Sequence, residues 1–194
     1  MTKIRPTTAA LLTGLTAVLL TATAPASAAL AAPESHCVSE AVKMGTTSPV
    51  REPVCFASFA EAISYATDGT VNLAPTATSV TQDQLDRGRA AAVAKAGNRA
   101  IAADYLIGIS YWDADEKGAS WTFHHAAPCS ATQAYYTDNV GPAWNDQISS
   151  ARAYSGCRGY YYEDHYQRGG YITTPWTVGG YMNDSTTSVK WLAL

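Results

Sequence analysis

The sequence predicts an all-β fold: a two-sheet sandwich spanning residues 104–194, preceded by a small disulfide-bonded hairpin/helix region and a linker. Three observations carry this. From Asp104 onward, short aromatic and β-branched runs alternate with Gly- and Pro-bearing turns, and this part holds all five tryptophans and most of the tyrosines. A ten-residue phrase occurs twice, Trp-Asn-Asp-Gln-Ile-Ser-Ser-Ala-Arg-Ala from Trp144 and Met-Asn-Asp-Ser-Thr-Thr-Ser-Val-Lys-Trp from Met182, and each copy runs into an alternating stretch suited to a strand. The four cysteines, an even number, suit a chain stapled by disulfides.

The first 28 residues join Lys3 and Arg5 to an apolar run through Leu11, Leu12, Val18, Leu19 and Leu20, and then to Ala26-Ser27-Ala28, a small-x-small cleavage pattern. Thr13, Gly14, Thr16 and Thr21 break the run short of the roughly 20 apolar residues that span a bilayer. This predicts a signal peptide over 1–28, a secreted, extracellular mature chain and no membrane partner. Cleavage there leaves eleven cationic against sixteen acidic residues, a net charge of −5, so nucleic acid is not an expected partner. An oxidising compartment favours disulfides over thiol–zinc ligation, since no CxxC spacing is present. Of the three possible pairings, the sequence-local one joins Cys37 to Cys55 and Cys129 to Cys157.

Residues 33–73 read as a small disulfide-bonded N-terminal region with a turn around Gly45 to Pro49. A helix follows, in which Phe56, Phe59, Ala60 and Ile63 fall at helical spacing and Asp68-Gly69 is a fitting stop. Residues 74–103 are rich in Ala, Thr, Gln, Asp and Arg and poor in large apolar side chains. They are expected to be a linker, with Thr81 to Lys95 as a solvated helix. The remaining 104–194, about 90 residues, suffice for one sandwich core. Its two halves share a plan of aromatic strand, Gly-containing turn, second strand, Asn-Asp phrase and third strand.

The doubled phrase offers only hard oxygen donors: two Asx residues, two spacers and two hydroxyl residues in a row. This points to bound Ca2+. An Asx-turn with hydroxyls capping backbone donors is the plainer reading of either copy alone, and recurrence in register favours the ion. His124-His125 and Glu163-Asp164-His165 invite a zinc or acid–base reading. They lie in strand or turn texture without HExxH spacing, and neighbouring strand residues face opposite ways. No GxSxG or comparable nucleophile signature is present, so no enzyme is expected. Alternation likewise sends Tyr160 and Tyr162 to one face and Tyr161 to the other, which favours packing over a glycan-stacking platform.

The domain from about Tyr105 to Leu194 resembles the microbial βγ-crystallins, whose Greek keys carry an aromatic hairpin of the form Tyr-x4-Phe/Tyr-x-Gly and a later N/D-N/D-x-x-S/T-S loop. Asn145-Asp146-Gln147-Ile148-Ser149-Ser150 and Asn183-Asp184-Ser185-Thr186-Thr187-Ser188 match the loop in full. The hairpins match in part: Tyr111 to Gly118 has Glu116 at the aromatic position, and Tyr161 to Gly169 keeps Tyr166 but sets its Gly one residue late. The layout with leader and cysteines is similar to that of secreted actinomycete proteins grouped with the metalloproteinase inhibitors of this fold, and killer-toxin-like members share it. The resemblance implies one ion held by Ser149, Asp184 and the Gln147 carbonyl, and a second by Thr187, Asp146 and the Ser185 carbonyl, with hairpin carbonyls from near Glu116 and Glu163. It also implies a monomeric, calcium-binding peptidase inhibitor or related binder. Its partner would be a secreted metalloprotease or, alternatively, a cell-wall glycan. The stretch from Cys129 to Pro142, anchored by a disulfide and rich in polar residues, is the expected inhibitory loop.

Overall fold

The computed structural model describes residues 35–46, 52–97, 103–175 and 182–194; the expected signal peptide at 1–28 lies outside them. In chain order the described strands and helices are β1 (His36–Glu40), β2 (Val42–Lys43), β3 (Val54–Phe56), α1 (Phe59–Ala66), α2 (Gln82–Ala96), β4 (Tyr105–Asp113), β5 (Lys117–His125), β6 (Tyr135–Thr137), β7 (Ser150–Ala153), β8 (Cys157–Asp164), β9 (Arg168–Thr173) and β10 (Ser188–Ala193).

Two five-stranded sheets result, in the orders β3-β1-β5-β4-β7 and β2-β6-β10-β8-β9. The hairpin β4–β5 and strand β7 build the first sheet, and β8, β9 and β10 build the second. β6 belongs by sequence to the first half, yet it pairs antiparallel with β10 in the second sheet. This crossing over of a strand is what makes the first half a Greek key rather than a meander. The predicted all-β double Greek-key sandwich is therefore the observed fold.

Alternation along the strands fills the space between the sheets. Ile107, Trp121, Phe123, Tyr135, Tyr161, Val189 and Trp191 meet there, all buried. Trp191 packs against Phe123 with ring centroids 4.6 Å apart, and its indole lies so close to β4 that a Cβ at Gly108 would stand 2.5 Å from its Nε1. Only glycine fits there without displacing the indole. Tyr161 points into this core and shares a 3.1 Å hydrogen bond with Ser110, whereas Tyr160 and Tyr162 lie on the opposite face of the sheet around Lys190, Tyr162 buried there against Tyr171. Burial pushes the Tyr161 hydroxyl well above the usual tyrosine range.

The first sheet is covered on its outer face as well, which explains why β4 is apolar almost throughout. A bulge between Leu106 and Gly108 puts Leu106 and Ile109 on the same face despite their odd spacing, alongside Tyr111. Phe59 and Ile63 of α1 lie over them with Val71, Val80 and Leu85. Burying Phe59 and Ile63 contributes about 2 kcal/mol apiece. The helix starts later than its apolar spacing suggested: Ser58 caps it, accepting the Glu61 N–H at 3.3 Å and donating to the Glu61 carboxylate at 2.9 Å, and Phe56 ends β3 instead. Helix α2 opens on a Thr81–Gln84 capping box and buries Leu85. Its Arg89 bonds the carbonyls of Ala103 and Asp104 at 2.6 and 2.8 Å, with its guanidinium 3.4 Å from the centroid of the Tyr105 ring.

The N-terminal strands extend both sheets. β1 runs parallel to β5 in the first sheet with β3 outside it at the edge, and β2 pairs with β6 at the edge of the second. The disulfides join Cys37 to Cys55, opposite one another on β1 and β3, and Cys129 to Cys157 at the start of β8. A loop closed by each bridge contributes about 3 kcal/mol through the unfolded state.

The expectation of an exposed loop from Cys129 to Pro142 requires correction. Tyr135 and Val140 within it are buried in the core, and β6 is the strand that crosses between sheets. Its exposed parts are the tight turn Ser130–Gln133, closed by reciprocal backbone bonds of 3.0 and 3.1 Å, and the neighbourhood of Asn139 and Pro142. Among the described residues no helix is long and apolar enough to cross a membrane.

Candidate metal site

The two Asx phrases sit side by side, each bonded to the other's backbone. Asp146 N–H reaches the Thr186 carbonyl and Asp184 N–H reaches the Ile148 carbonyl, both at 3.3 Å. Asp146 and Asp184 adopt φ 58° and 53°, a left-handed conformation that Asp and Asn tolerate better than other side chains, which accounts for Asx at this place in both copies. Asn145 and Asn183 each donate to the carboxylate of the following Asp, at 2.7 and 2.8 Å. The central contact is between the phrases: Ser149 Oγ donates to Asp184 Oδ1 at 2.8 Å. Two oxygens predicted to share an ion, 35 residues apart in sequence, thus lie at a spacing suited to adjacent positions in one oxygen shell.

Thr187, the counterpart of Ser149, is held by backbone bonds on both sides, its N–H to the Tyr162 carbonyl at 2.8 Å and its carbonyl to the Val140 N–H at 2.9 Å. Asp146 is brought beside Thr186, one residue away. Gln147 turns its amide back to the Asp146 carbonyl at 2.7 Å, and Ser185 Oγ donates to the Asn183 carbonyl at 3.3 Å. Both side chains fold onto their own phrase and leave backbone carbonyls as what these spacer positions can offer an ion.

Each phrase is locked to a hairpin by the hydroxyl that follows. Ser150 Oγ donates to the Asp113 carbonyl at 2.6 Å and accepts the Glu116 N–H at 3.0 Å; Ser188 Oγ does the same with the Asp164 carbonyl and the Gln167 N–H at the same two distances. The hairpins match residue for residue. Asp115 and Glu116 both have φ 59°, and Tyr166 and Gln167 have φ 59° and 55°. Gly118 and Gly169 follow at φ +72° and +76°, where a Cβ would approach the Asp113 and Asp164 carboxylates to 2.5 and 2.9 Å. This sets the register. The partner of Tyr111 is Tyr162, not Tyr161, and the position matching Glu116 is Gln167, not Glu163. Glu163 instead accepts the Gly170 N–H at 2.9 Å. A signal for this was present and missed: Asp113 to Gly118 and Asp164 to Gly169 have one spacing, each with a basic residue before the glycine.

The Glu116 carboxylate, its side chain 10 % exposed, pairs with Arg152 on β7 at 2.7 Å through Nε. That bond raises the Arg152 pKa above its ordinary value. Burial drives the hydroxyls of Tyr111 and Tyr154, under the same hairpin, well above the usual tyrosine range. His124 and His125 diverge as alternation requires: His124 bonds Asp104 at 2.6 Å, while the His125 ring packs on Tyr135 with centroids 4.5 Å apart. Among the described residues no three His, Cys, Asp or Glu side chains gather as a metal cluster. The contact between Ser149 and Asp184 instead joins one carboxylate to a hydroxyl, oxygen donors that fit a hard cation such as calcium and suit zinc or copper poorly.

Two interlocked Greek keys, each carrying one Asx-Asx-x-x-(Ser/Thr)-Ser phrase clasped to its own hairpin, define a βγ-crystallin-like domain. The chain is similar to a βγ-crystallin domain from Clostridium beijerinckii, with 26% identity over 45% of this chain and 99% of that one and a TM-score of 0.35. It is similar also to one from Flavobacterium johnsoniae, with 21% identity over 45% of this chain and 94% of that one and a TM-score of 0.33. A third is the N-terminal domain of protein S, with 16% identity over 45% of this chain and 97% of that one and a TM-score of 0.36. No protein-family model and no curated protein matches the chain.

Proposed function

We propose that this is a secreted, non-enzymatic protein that binds calcium at paired sites between its two Greek keys. The observation that carries the reading is the Ser149–Asp184 contact at 2.8 Å between phrases distant in sequence. An ion at that point would take Ser149 Oγ, Asp184 Oδ1 and the Gln147 carbonyl, with a carbonyl from the Glu116 hairpin turn. By the shared plan a second would take Thr187, Asp146 and the Ser185 carbonyl with the Gln167 turn. One carboxylate per ion argues for modest affinity, of the order of 10⁻⁶ to 10⁻³ M. Both ions would bridge segments far apart in the chain, so their chief effect is to stabilise. Melting curves in calcium and in chelator test this: the midpoint should climb with calcium concentration, and equal midpoints in both would refute it.

The extracellular role we attach to this scaffold is inhibition of a secreted metalloprotease or binding of a related partner, and it rests on likeness to the family. The exposed turn Ser130–Gln133, backed by the Cys129–Cys157 bridge, is the rigid surface that would serve it. Near-stoichiometric inhibition that is lost when Ser130–Gln133 is replaced supports this role. Co-sedimentation with cell-wall glycan and no effect on proteases would favour the glycan-binding alternative.

A further inference from the structure

The two hairpins that clasp the Asx phrases differ in charge at the residue whose N–H each phrase holds. At the first, Glu116 places a mostly buried carboxylate on the very residue whose N–H is held by Ser150, next in sequence to Ser149. Arg152, two residues beyond Ser150 and therefore on the same face of β7, covers that carboxylate with its Nε and a terminal nitrogen. At the second, the matching residue is Gln167, whose amide goes to the Thr137 carbonyl at 3.2 Å and Asp138 Oδ1 at 3.0 Å. The residue matching Arg152 is Lys190, whose Nζ lies 5.7 and 5.6 Å from the centroids of the Tyr160 and Tyr162 rings. One site thus has a neutralised charge pair at its rim, and the other does not.

We infer that Arg152 sets the calcium affinity of the first site by cancelling the Glu116 carboxylate, so that the two sites bind with different strength and only the first is tunable through this pair. The inference rests on the calcium reading above. The Glu116 N–H is bonded to Ser150, which adjoins Ser149, and its turn is the one proposed to lend the ion a carbonyl, so the separation of its carboxylate from an ion held by Ser149 and Asp184 is taken as on the order of 8 Å. At that separation, in the partly solvated surroundings of a 43 % exposed arginine, gaining or losing one unit charge changes a cation's binding constant by about three- to tenfold. Arg152→Gln uncovers the carboxylate and tightens the site. Glu116→Gln leaves the guanidinium unopposed and loosens it. The double variant restores the charge balance and returns the affinity toward its starting value.

A purely structural ion pair would behave otherwise, because cutting it from either end would loosen the hairpin and weaken binding in both cases. The opposed signs of the two single variants are therefore the diagnostic. Calorimetric calcium titrations of the full chain and of Arg152→Gln, Glu116→Gln, the double variant and Arg152→Lys form the test, with melting curves in chelator to verify folding. Expected are opposite shifts of about three- to tenfold at one site, none at the other, near-recovery in the double variant, and little change in Arg152→Lys. Shifts of the same sign, or no shift in either single variant while the unsubstituted chain binds calcium, would overturn the charge assignment alone. No binding by the unsubstituted chain would overturn it together with the calcium reading.

Discussion

Asp184→Asn probes the site with little disturbance elsewhere. Asparagine keeps the shape, tolerates the φ of 53°, and can still accept from Ser149 Oγ through its one oxygen, while its NH2 takes the place of the oxygen that accepted from Asn183, whose amide turns over to present its own oxygen; the substituted chain should therefore fold without calcium to within about 1 kcal/mol of its parent. What disappears is the carboxylate of the first site. For a site half-saturated near 10 μM, 1 mM calcium is about a hundredfold excess and stabilises the folded state by about 2.7 kcal/mol. For a domain of this size that corresponds to a melting shift of about 5–10 °C. Scanning calorimetry of parent and variant, each with chelator and with 1 mM calcium, should show closely similar midpoints in chelator and a calcium increment reduced in the variant by the share of the first site, since the Asp146 site remains. An undiminished increment in Asp184→Asn would refute the role given to this carboxylate. A large drop in chelator would show that the residue acts through folding instead.

Other outcomes follow from the same structure. Gly118→Ala forces a Cβ into the Asp113 carboxylate at a φ of +72° and should cost about 1–3 kcal/mol in urea unfolding; the equivalent Gly169→Ala should behave alike. Replacing Cys129 and Cys157 by serine opens a 28-residue separation and should lower stability by about 3–4 kcal/mol, read from the same denaturant midpoints. His125 has its pKa lowered, chiefly by desolvation against the core, below the ordinary 6.5. The unfolded chain then binds the proton more readily, so this contribution is complete above the unfolded value of 6.5 and is lost as pH falls from there through the lowered pKa of the folded state. Replacing the titratable imidazole by a phenyl ring in His125→Phe should flatten that part of the stability profile between pH 7 and 5.

What the sequence disclosed was mostly local. The Asx phrases, the opposed facing of Tyr160 and Tyr161, and the pairing of Cys37 with Cys55 depend on residue spacing along one or two strands, where a period of two or a shared register is visible in the letters. The parallel placement of β1 beside β5 and the passage of β6 into the opposite sheet are long-range pairings, decided by which apolar faces remain open after the hairpins form. For that reason the segment after Cys129 read as an exposed loop while Tyr135 was in fact core. The second hairpin was misregistered because Tyr160, Tyr161 and Tyr162 are interchangeable by type. The left-handed pair Tyr166–Gln167 and the Ser188 bonds, neither of which aromatic spacing records, determine that Tyr162 leads it.

Counting ions bound per chain by equilibrium dialysis against labelled calcium tests the central claim most directly. The account predicts saturation at two per chain within the millimolar range, falling to one in Asp184→Asn. Retention of no calcium above the buffer level by the unsubstituted, folded chain would contradict it.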